Sequence, residues 1–463
     1  MTAEITATRE RSRAGNARRR AAASLLLVSA IWASLAIAVA LFLFSGGLVE
    51  FDTAANAVTS VGIVAGLLGT DVVLVMLVLA ARAPFIDHAV GHDRAIALHR
   101  FLGKPALYLL LGHGALLLTG YGMTAGINPA AEIGPMFAIP DMPLAFIGMG
   151  LLITVVVTSL VAVRRRFSYE SWQLIHLLSY VAVLFAVPHQ LSVGGIFADN
   201  PFERAYWSTL YFFAFGMIVV FRFIEPVLSS IRHRLRVESV ETIAAGVVSI
   251  TLSGRKLALL DSVGGQFFVW RFWTPQTWWH SHPISLSAMA TDSRLRITVR
   301  SYGRGSERIS SVVAGTRVWF EGPYGVFTAA SRTKEKLAIA VAGIGVTPVR
   351  AMLEESNFAP GEVTLLLRAS TSAETYLWYE VLQLATDKGI TVFTMIGSRA
   401  TTGAGWMPQE DGDRGVSLTS VFPDLLDSDL YLCGPRAWLD LVETDARSAG
   451  LPARQLHSER FDR

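Results

Sequence analysis

Six long apolar stretches set the strongest limit on how this chain can fold. They lie at about residues 21–45, 57–81, 96–120, 143–163, 172–190 and 205–224. Each is near the roughly 20 residues that an α-helix needs to cross the hydrocarbon core of a bilayer. Hydrophobic residues make up 52% of the 463 residues and charged residues only 17%, which is too apolar for a soluble protein of this size. We therefore expect an all-α bundle of six membrane-spanning helices with a soluble part.

The charges between these stretches predict how the bundle is oriented. Basic residues cluster at one set of helix ends: Arg82, Arg94, Arg100, Lys104, Arg164, Arg165, Arg166, Arg222, Arg232 and Arg234. The opposite loops are acidic and carry only Arg204 as a base. Because cytoplasmic loops are enriched in Lys and Arg, both termini are expected in the cytoplasm, at a bacterial-type plasma (inner) membrane. Residues 1–20 are expected to be a disordered leader, because the apolar run after them is too long for a signal peptide and lacks a clear cleavage site.

Composition also limits the expected partners. The net charge is only +3, and the basic residues lie where membrane orientation explains them, so no nucleic-acid-binding surface is expected. Cys433 is the only cysteine, which excludes an internal disulfide framework.

Four histidines interrupt two of the apolar stretches in pairs, His99 with His113 and His176 with His189. An imidazole is costly in hydrocarbon and usually has a function there. Within each pair the residues are separated by about 20 Å along a helix, which fits a hydrocarbon core about 30 Å thick. We therefore predict axial ligands for two stacked haems. His99 and His176 would serve the cytoplasmic side, and His113 and His189 the outer side.

The helical phases of the two pairs differ. His99 and His113 are close to four full turns apart, so both face one side of a helix, whereas the spacing of His176 and His189 separates their rings in azimuth. A kink or unwinding at Pro188 would correct this difference. The alternative interpretation is that the four histidines are polar residues satisfied between helices or lining a pore.

Three further polar residues have two interpretations each. Asp71 lies inside the second apolar stretch, where it is either a proton-relay group or, as we favour, a hydrogen-bond partner of a neighbouring helix. His88 and His92 are four residues apart in a basic loop. That spacing would suit a metal, but we favour a solvated loop that docks on the soluble part.

After the last apolar stretch the composition changes, and two further domains are expected. Short strands punctuated by Gly and Pro predict a small antiparallel β-barrel over residues 231–332: Val237–Val240, Gly246–Leu252, Gln266–Arg271, Leu295–Val299 and Arg317–Phe320. Apolar strands alternating with helical stretches predict a parallel α/β sheet over residues 333–463: Leu337–Ala342, Val363–Leu367, Thr391–Ile396 and Leu430–Leu432. The membrane domain would then occupy residues 21–230.

Eight barrel residues are candidates for holding a flavin nucleotide. Hydroxyl groups beside an extended backbone can hydrogen-bond a flavin ring and ribityl chain, and an arginine next to open backbone can hold a pyrophosphate. The candidates for the ring and ribityl chain are His282, Pro283, Ser285 and Ser287. Those for the pyrophosphate are Arg300, Gly303 and Ser306. Gly322 begins a predicted tight turn, Gly322–Gly325, at the barrel rim.

The α/β part carries the motifs of a pyridine nucleotide site. Gly343, Gly345, Thr347 and Pro348 follow an apolar strand and open a helix, with Pro348 expected at the first helical position. The next two strands end in hydroxyl and guanidinium groups: Ser370, Ser398, Arg368 and Arg399. Because two arginines and no acidic residue stand there, a 2′-phosphate is favoured, and hence NADPH over NADH. The alternative is that both arginines are merely solvated.

Two features near the C-terminus complete the candidate site. Cys433, Gly434 and Pro435 close the last main strand, where a nicotinamide ring would lie. Phe461 supplies an aromatic ring able to cover a flavin.

Together these residues resemble the ferric reductase and NADPH oxidase superfamily of transmembrane flavocytochromes over residues 20–463. The resemblance rests on the two spaced histidine pairs, His282-Pro283-x-Ser285-x-Ser287, Gly343-x-Gly345-x-Thr347-Pro348, Cys433-Gly434-Pro435 and Phe461. It implies a six-helix bundle with two b-type haems, followed by a ferredoxin-reductase-like module that binds FAD and NADPH. It also implies that Phe461 covers the isoalloxazine and that His282–Ser287 hold the flavin. No EF-hand loop is found in the sequence, so direct calcium control is not expected.

The resemblance implies an NAD(P)H-dependent transmembrane oxidoreductase. Electrons from cytoplasmic NADPH would pass through FAD and the two haems to an extracytoplasmic acceptor, since a flavin converts a two-electron donor into one-electron steps. The sequence leaves three acceptors open: O2 in a superoxide-producing oxidase, a ferric chelate, and a quinone or periplasmic partner protein. The expected partners are the lipid bilayer and a small-molecule acceptor, with no obligate protein partner.

Overall fold

The computed structural model describes residues 2–47, 51–164, 166–167, 169–192, 200–400 and 405–461. The chain divides into two compact units. One comprises Ala23–Phe223, and the other comprises Ile224–Arg463 together with Met1–Ala22.

The unit Ala23–Phe223 is helical in its described part. Its helices are α1 (Thr2–Phe42, which starts in the other unit), α2 (Ala54–Ala80), α3 (Pro84–Val90), α4 (His92–Ala125), α5 (Ile133–Ala138), α6 (Met142–Ser159), α7 (Val161–Arg164), α8 (Tyr169–Ser192) and α9 (Pro201–Val219). Six helical stretches of the described chain are long and apolar enough to cross a membrane: Ala21–Ser45, Ala54–Ala80, Arg94–Ala125, Met142–Ser159, Ser171–Ser192 and Pro201–His233. The six predicted spans are therefore confirmed.

The N-terminal segment differs from the expectation. Helix α1 already begins at Thr2, whereas residues 1–20 are predicted from sequence to be a disordered leader. The segment is rich in Ala and Arg, which have high helix propensity, and it leads directly into the first apolar stretch.

Within the bundle, α2 packs mainly on α4 and α9, and α6 packs on α8. Glycines on α2 allow the first of these contacts. A Cβ atom at Gly62 would lie 3.0 Å from Leu116 Cβ, and one at Gly69 would lie 2.8 Å from Leu110 Cδ2. Small residues at this spacing let the backbones of two membrane helices approach closely.

The buried carboxylate of the bundle has the kind of partner that the sequence favours. Ser34 Oγ on α1 donates to Asp71 Oδ1 on α2 at 2.9 Å, and Tyr206 Oη on α9 donates to the Ser34 carbonyl at 3.1 Å. Ser34 thus connects α1 to Asp71 of α2 and to Tyr206 of α9 by hydrogen bonds. His92 is the first residue of α4, and the side chain of His88 lies outside the described residues.

The second unit begins with α10 (Glu225–His233) and continues into an antiparallel sheet. Its elements are β1 (Arg236–Ala244), β2 (Val247–Ser253), β3 (Phe267–Phe272), β4 (His282–Ala288), β5 (Arg294–Arg300), α11 (Arg304–Ser310) and β6 (Val318–Tyr324). The strand order is β1-β2-β5-β4-β3-β6. An antiparallel bridge between Arg236 and Arg317 joins the two outer strands, so the sheet closes around a core that includes Phe268, Trp270 and Phe320.

A parallel sheet follows, as the alternation of strands and helices predicts. Its elements are β7 (Lys336–Ala342), α12 (Val346–Glu355), β8 (Val363–Ala369), α13 (Trp378–Asp387), β9 (Thr391–Ile396), α14 (Gln409–Asp413), α15 (Leu418–Val421), β10 (Ser428–Pro435), α16 (Arg436–Ser448) and β11 (Leu456–Phe461). The strand order is β11-β10-β7-β8-β9. The order reverses between β7 and β10, and such a switch point is where open α/β sheets bind their ligands.

Candidate functional site

The two histidines predicted to serve the cytoplasmic side lie next to each other. The ring centroids of His99 on α4 and His176 on α8 are 6.1 Å apart. A metal ion bound about 2 Å from a nitrogen of each ring would place the centroids roughly 6 Å apart, by analogy with zinc–imidazole distances. The separation therefore fits two axial ligands of one iron.

The hydrogen bonds of these two rings involve Nδ1 and leave Nε2 available to bind a metal. His99 Nδ1 lies 3.0 Å from the carbonyl oxygen of Met76, so Nδ1 must carry the proton and donate. His176 Nδ1 lies 3.4 Å from Ser159 Oγ. A metal-binding histidine usually donates its other ring N–H in this way, which fixes the tautomer and the ring orientation.

The outer pair lies on the same two helices, α4 and α8. His113 Nδ1 lies 2.9 Å from the carbonyl oxygen of Gly62 on α2. Nδ1 of His189 is buried and has no hydrogen-bond partner within the described ranges. Because Nδ1 of His113 faces a carbonyl oxygen, it carries the proton and Nε2 has a free lone pair.

The helix that carries His176 and His189 is not unwound between them. Helix α8 runs from Tyr169 to Ser192 with Pro188 inside it, so the unwinding proposed at Pro188 to bring the two rings to one face is not observed.

The structure adds one residue to the histidine site that the sequence interpretation missed. A Cβ atom at Gly66 on α2 would lie 2.5 Å from Nδ1 of His113, so only glycine leaves room for this imidazole. The signal in the sequence is the spacing of Gly62, Gly66 and Gly69, because positions i, i+4 and i+7 share one helix face.

In the barrel, the predicted flavin strand contains an unpaired buried hydroxyl. Ser285 on β4 is 1% exposed, and its Oγ has no hydrogen-bond partner within the described ranges. It pairs in register with Phe267, which also pairs with Tyr324 of β6. A buried hydroxyl without a partner is costly, and a flavin hydrogen-bonding to it would remove that cost.

Replacing Ser285 with alanine is expected to have opposite effects on the apoprotein and on flavin binding. The flavin-free protein should unfold at a higher temperature, because an unsatisfied hydroxyl costs about 1–3 kcal/mol when buried. The affinity for FAD should fall by roughly 2- to 10-fold through loss of one hydrogen bond. Thermal unfolding and FAD titration of the flavin-stripped full-length protein measure both.

The matched control for that variant is Thr298→Val. Thr298 Oγ1 donates a hydrogen bond to Ser287 Oγ at 2.8 Å inside the barrel, so this variant should lower thermal stability and leave FAD affinity within about twofold. If Ser285→Ala also lowered stability and left FAD affinity unchanged, the hydroxyl would not face the flavin.

The other barrel candidates lie around the ends of β4 and β5. His282 and Pro283 begin β4, and the rings of His282 and His280 are 6.2 Å apart. Arg300 ends β5 and forms an ion pair with Glu374 at 2.6 Å. The sequence interpretation assigns Arg300 to a pyrophosphate, and this pair must open or be shared for that role.

Gly303 precedes the first residue of α11, and Ser306 lies in its first turn. Ser306 Oγ accepts from the backbone N–H groups of Tyr302 and Gly303, at 2.8 and 3.2 Å. The hydroxyl thus closes the turn in which an anion was expected.

The predicted tight turn at Gly322 is wrong. Gly322 lies inside β6, which continues to Tyr324, and Gly325 follows the strand. The segment stays extended because Tyr324 pairs with Phe267 of β3. Gly322 has a φ of +124°, a backbone conformation that favours glycine.

The glycine-rich loop lies at the switch point of the parallel sheet. Gly343–Gly345 follow β7 and lead into α12. A Cβ atom at Gly345 would lie 2.8 Å from the backbone nitrogen of Gly434, so the loop packs directly against the end of β10. Thr347 Oγ1 donates to the Ile344 carbonyl at 3.0 Å, which holds the loop in shape. Helix α12 begins at Val346, so Pro348 is the third helical residue and not the first, as predicted.

Helix α12 and the barrel are joined by ion pairs and hydrogen bonds. Glu380 on α13 accepts from Arg296 of β5 at 2.8 Å and from Arg350 of α12 at 2.8 Å. Burial raises the pKa of the Glu380 carboxyl, but the hydrogen bonds and positive charges of Arg296 and Arg350 outweigh burial and hold the pKa below its usual range. Glu354 of α12 accepts from the backbone N–H of Met289 at 2.6 Å. These contacts hold α12, and with it the glycine-rich loop that precedes α12, against β4 and β5 of the barrel.

The predicted role of Arg368 in holding a 2′-phosphate is not supported. Its guanidinium is buried and donates to the carbonyls of Trp406, Ala369 and Gly397. Burial, partly offset by Asp411, lowers the pKa of Arg368. Gly397 and Trp406, which follow β9, supply carbonyls to Arg368 at the end of β8, and the sequence pattern could not reveal these contacts.

The remaining polar candidates at this edge are exposed. Ser370, Ser398 and Arg399 all lie at the surface, and Arg399 is close enough to Arg368 to influence it electrostatically. Arg399 is thus the guanidinium of the predicted pair that a bound phosphate can reach.

At the C-terminal edge of the sheet, the thiol predicted to meet the nicotinamide is enclosed. Cys433 is 0% exposed, because β10 is a central strand covered on both faces. Burial, with a further contribution from Glu459, raises the pKa of the thiol well above its usual value. Pro435, by contrast, is exposed, and it pairs in register with Phe461 of β11, next to Gly434.

Comparisons with known proteins agree with the two-part organisation. Residues 65–187 match the family described as the ferric reductase like transmembrane component. Ferric reduction oxidase 3, mitochondrial, of Arabidopsis thaliana is 23% identical over 346 residues, which are 71% of this chain and 45% of the relative. The ferredoxin reductase component of a 3-ketosteroid-9-alpha-monooxygenase of Rhodococcus rhodochrous is 26% identical over 203 residues, 43% of this chain and 55% of the relative. The chain spans about half the length of these curated relatives.

Two solved structures match half of this chain or more. The flavohem-like FAD/NAD binding domain of a nitric oxide dioxygenase from Vibrio cholerae covers 50% of this chain and 99% of its own, with 23% identity and a TM-score of 0.40. A flavohemoglobin from Malassezia yamatoensis covers 85% of this chain and 94% of its own, with 15% identity and a TM-score of 0.43.

Proposed function

We propose that this chain, whose residues 65–187 are a ferric-reductase-like transmembrane component, is an NADPH-dependent oxidoreductase that moves electrons across a membrane. The observation that carries the proposal is the pairing of imidazoles inside the bundle. His99 and His176 lie 6.1 Å apart, and Nδ1 of His99 and of His113 is held by a backbone carbonyl. Such rings present Nε2 to a metal.

Four histidines would hold two haems, His99 with His176 and His113 with His189. The fit rests on the donor set, because neutral imidazoles are suitable axial ligands and Nδ1 of His99, His113 and His176 is held by a hydrogen bond. The distribution of arginines favours His99 and His176 on the cytoplasmic side.

FAD fits the barrel, and NADPH fits the edge of the parallel sheet. Ser285 offers a hydroxyl with no partner within the described ranges, and Phe461 lies beside Gly434 and Pro435 at the sheet edge. When bound, the flavin would convert a two-electron donor into single-electron steps, and the haems would carry single electrons between the two faces of the membrane.

The chain's own residues have three tasks in this scheme. The glycine-rich loop Gly343–Gly345 admits the nucleotide close to the backbone, and Arg399 attracts its 2′-phosphate. The α2 carbonyls of Gly62 and Met76 orient the imidazoles and fix their tautomers. The apolar bundle excludes water from around them.

For the acceptor we propose a ferric chelate on the extracytoplasmic side. The support is the match to a relative named a ferric reduction oxidase, which extends over 71% of this chain. The plasma membrane of a bacterium, with both termini in the cytoplasm, is the location that the charge distribution favours.

The acceptor is tested with purified protein, FAD, haem and NADPH. We expect rapid Fe(III)-chelate reduction that persists without oxygen and is insensitive to superoxide dismutase. Cytochrome c reduction abolished by superoxide dismutase would instead identify O2 as the acceptor. Failure of both assays, with turnover restored by a membrane extract, would identify a quinone or a partner protein.

A further inference from the structure

The ring of His176 belongs to a network of hydrogen bonds centred on the hydroxyl of Ser159. Ser159 Oγ at the end of α6 contacts three groups. It lies 2.7 Å from the carbonyl oxygen of Val155, 3.2 Å from the indole nitrogen of Trp172 and 3.4 Å from Nδ1 of His176.

The proton positions in this chain follow from the chemistry of each group. A hydroxyl has one proton to donate and two lone pairs to accept with, and an indole N–H can only donate. The contact to the Val155 carbonyl is by far the shortest, and a carbonyl can only accept, so the Ser159 proton points there. Ser159 Oγ then accepts from Trp172 and from His176. His176 must therefore carry its proton on Nδ1, which leaves Nε2 unprotonated.

Ring stacking reinforces this arrangement. The indole of Trp172 stacks on the imidazole of His176, with centroids 4.9 Å apart and planes inclined by 28°. On the other side, the guanidinium of Arg164 lies 4.6 Å from the centroid of the same indole, a cation–π contact. The imidazole is thus held both by its Nδ1–H and by its face.

The other anchored rings are held differently. Nδ1 of His99 and Nδ1 of His113 donate to backbone carbonyls on α2, which no substitution of a side chain removes. Among the described hydrogen bonds of the four histidines, the one of His176 joins Nδ1 to a side-chain oxygen. A substitution of Ser159 can therefore remove it.

We propose that Ser159 and Trp172 are positioning residues that orient His176 as a haem ligand, and that Ser159, by accepting the Nδ1 proton, sets the tautomer and raises the basicity of His176 and so lowers the reduction potential of the haem it binds. The inference rests on the proposed function. An acceptor for the Nδ1 proton makes an axial imidazole a stronger electron donor, and this stabilises the oxidised iron. Loss of the acceptor should therefore raise the potential of one haem and leave the other unchanged.

The experiment is a potentiometric titration of full-length, haem-loaded protein, followed by the optical spectrum. In Ser159→Ala we expect one of the two reduction steps to move to a higher potential than in the wild-type protein. In Ser159→Thr, which keeps a hydroxyl, we expect that step to have the wild-type potential. Trp172→Phe keeps an aromatic face and removes the N–H donor that competes with His176 for Ser159 Oγ, so the same step should move to a lower potential. The matched control is Thr154→Val on the same helix, because Thr154 Oγ1 donates to the carbonyl of Gly150 at 2.8 Å, away from Ser159 and the Val155 carbonyl, and neither step should move.

Two results would overturn the proposal. One is Ser159→Ala protein that retains both haems with neither step moved, and the other is an equal movement of both steps. If Ser159→Ala failed to retain both haems, the Trp172→Phe titration would decide, with an unmoved step counting against the proposal. A wild-type protein without haem is a separate outcome, which would refute the proposed function itself.

Discussion

His113→Ala is expected to remove one of two haems and to stop reduction of the extracytoplasmic acceptor. In the proposed outer haem site this ring pairs with His189, so the haem there would lose one of its two axial ligands. Reduction of FAD by NADPH should persist, because the flavin and nucleotide residues belong to the other compact unit. Haem content, flavin bleaching under anaerobic conditions and acceptor reduction are measured on the same preparation.

The control for this variant is His92→Ala. His92 is on the same helix as His113 but precedes the membrane-spanning stretch Arg94–Ala125, so haem content and turnover should not change. An unaltered haem content in His113→Ala would mean that this histidine is not a ligand.

Arg399→Ala is expected to raise the Michaelis constant for NADPH by roughly 10- to 100-fold and to leave that for NADH within about twofold. A hydrogen bond to a charged group contributes about 1.5–3 kcal/mol, and NADH has no 2′-phosphate for Arg399 to contact. Steady-state kinetics with both nucleotides measure the ratio.

Arg368→Ala provides the contrast, because Arg368 is buried and donates to three carbonyls. We expect this variant to lower the free energy of unfolding of the parallel-sheet domain by roughly 3 kcal/mol, because the three carbonyls lose their hydrogen-bond donor. The preference for NADPH over NADH should be retained. The assignment of the phosphate to Arg399 fails if Arg399→Ala weakens binding of the two nucleotides equally.

The sequence predicted the architecture well because periodicity and length determine it locally. The six spans differ from the predicted ranges only at their ends, and strand β9 coincides with the predicted Thr391–Ile396. Strand β11 was not predicted, although Phe461 at its end was singled out. It is an edge strand that pairs only with β10, and its polar residues give it no apolar run from which a strand could be predicted.

The site was less predictable, because its contacts join residues far apart in the chain. That Gly66 makes room for His113, or that Ser159 accepts from His176, depends on which helices pack together. Arg368 and Arg399 have the same side chain and similar places at strand ends, yet only Arg399 is exposed. The difference comes from the contacts of Arg368 with the carbonyls of Gly397 and Trp406, which no local pattern encodes.

The central claim is that the bundle holds two haems between paired histidines. The most direct test is the ratio of haem to FAD to polypeptide in purified, cofactor-loaded protein, together with the low-spin spectrum of bis-imidazole iron. The account predicts two haems for each chain and each FAD. Protein that binds FAD but retains no haem, or a single one, would contradict it.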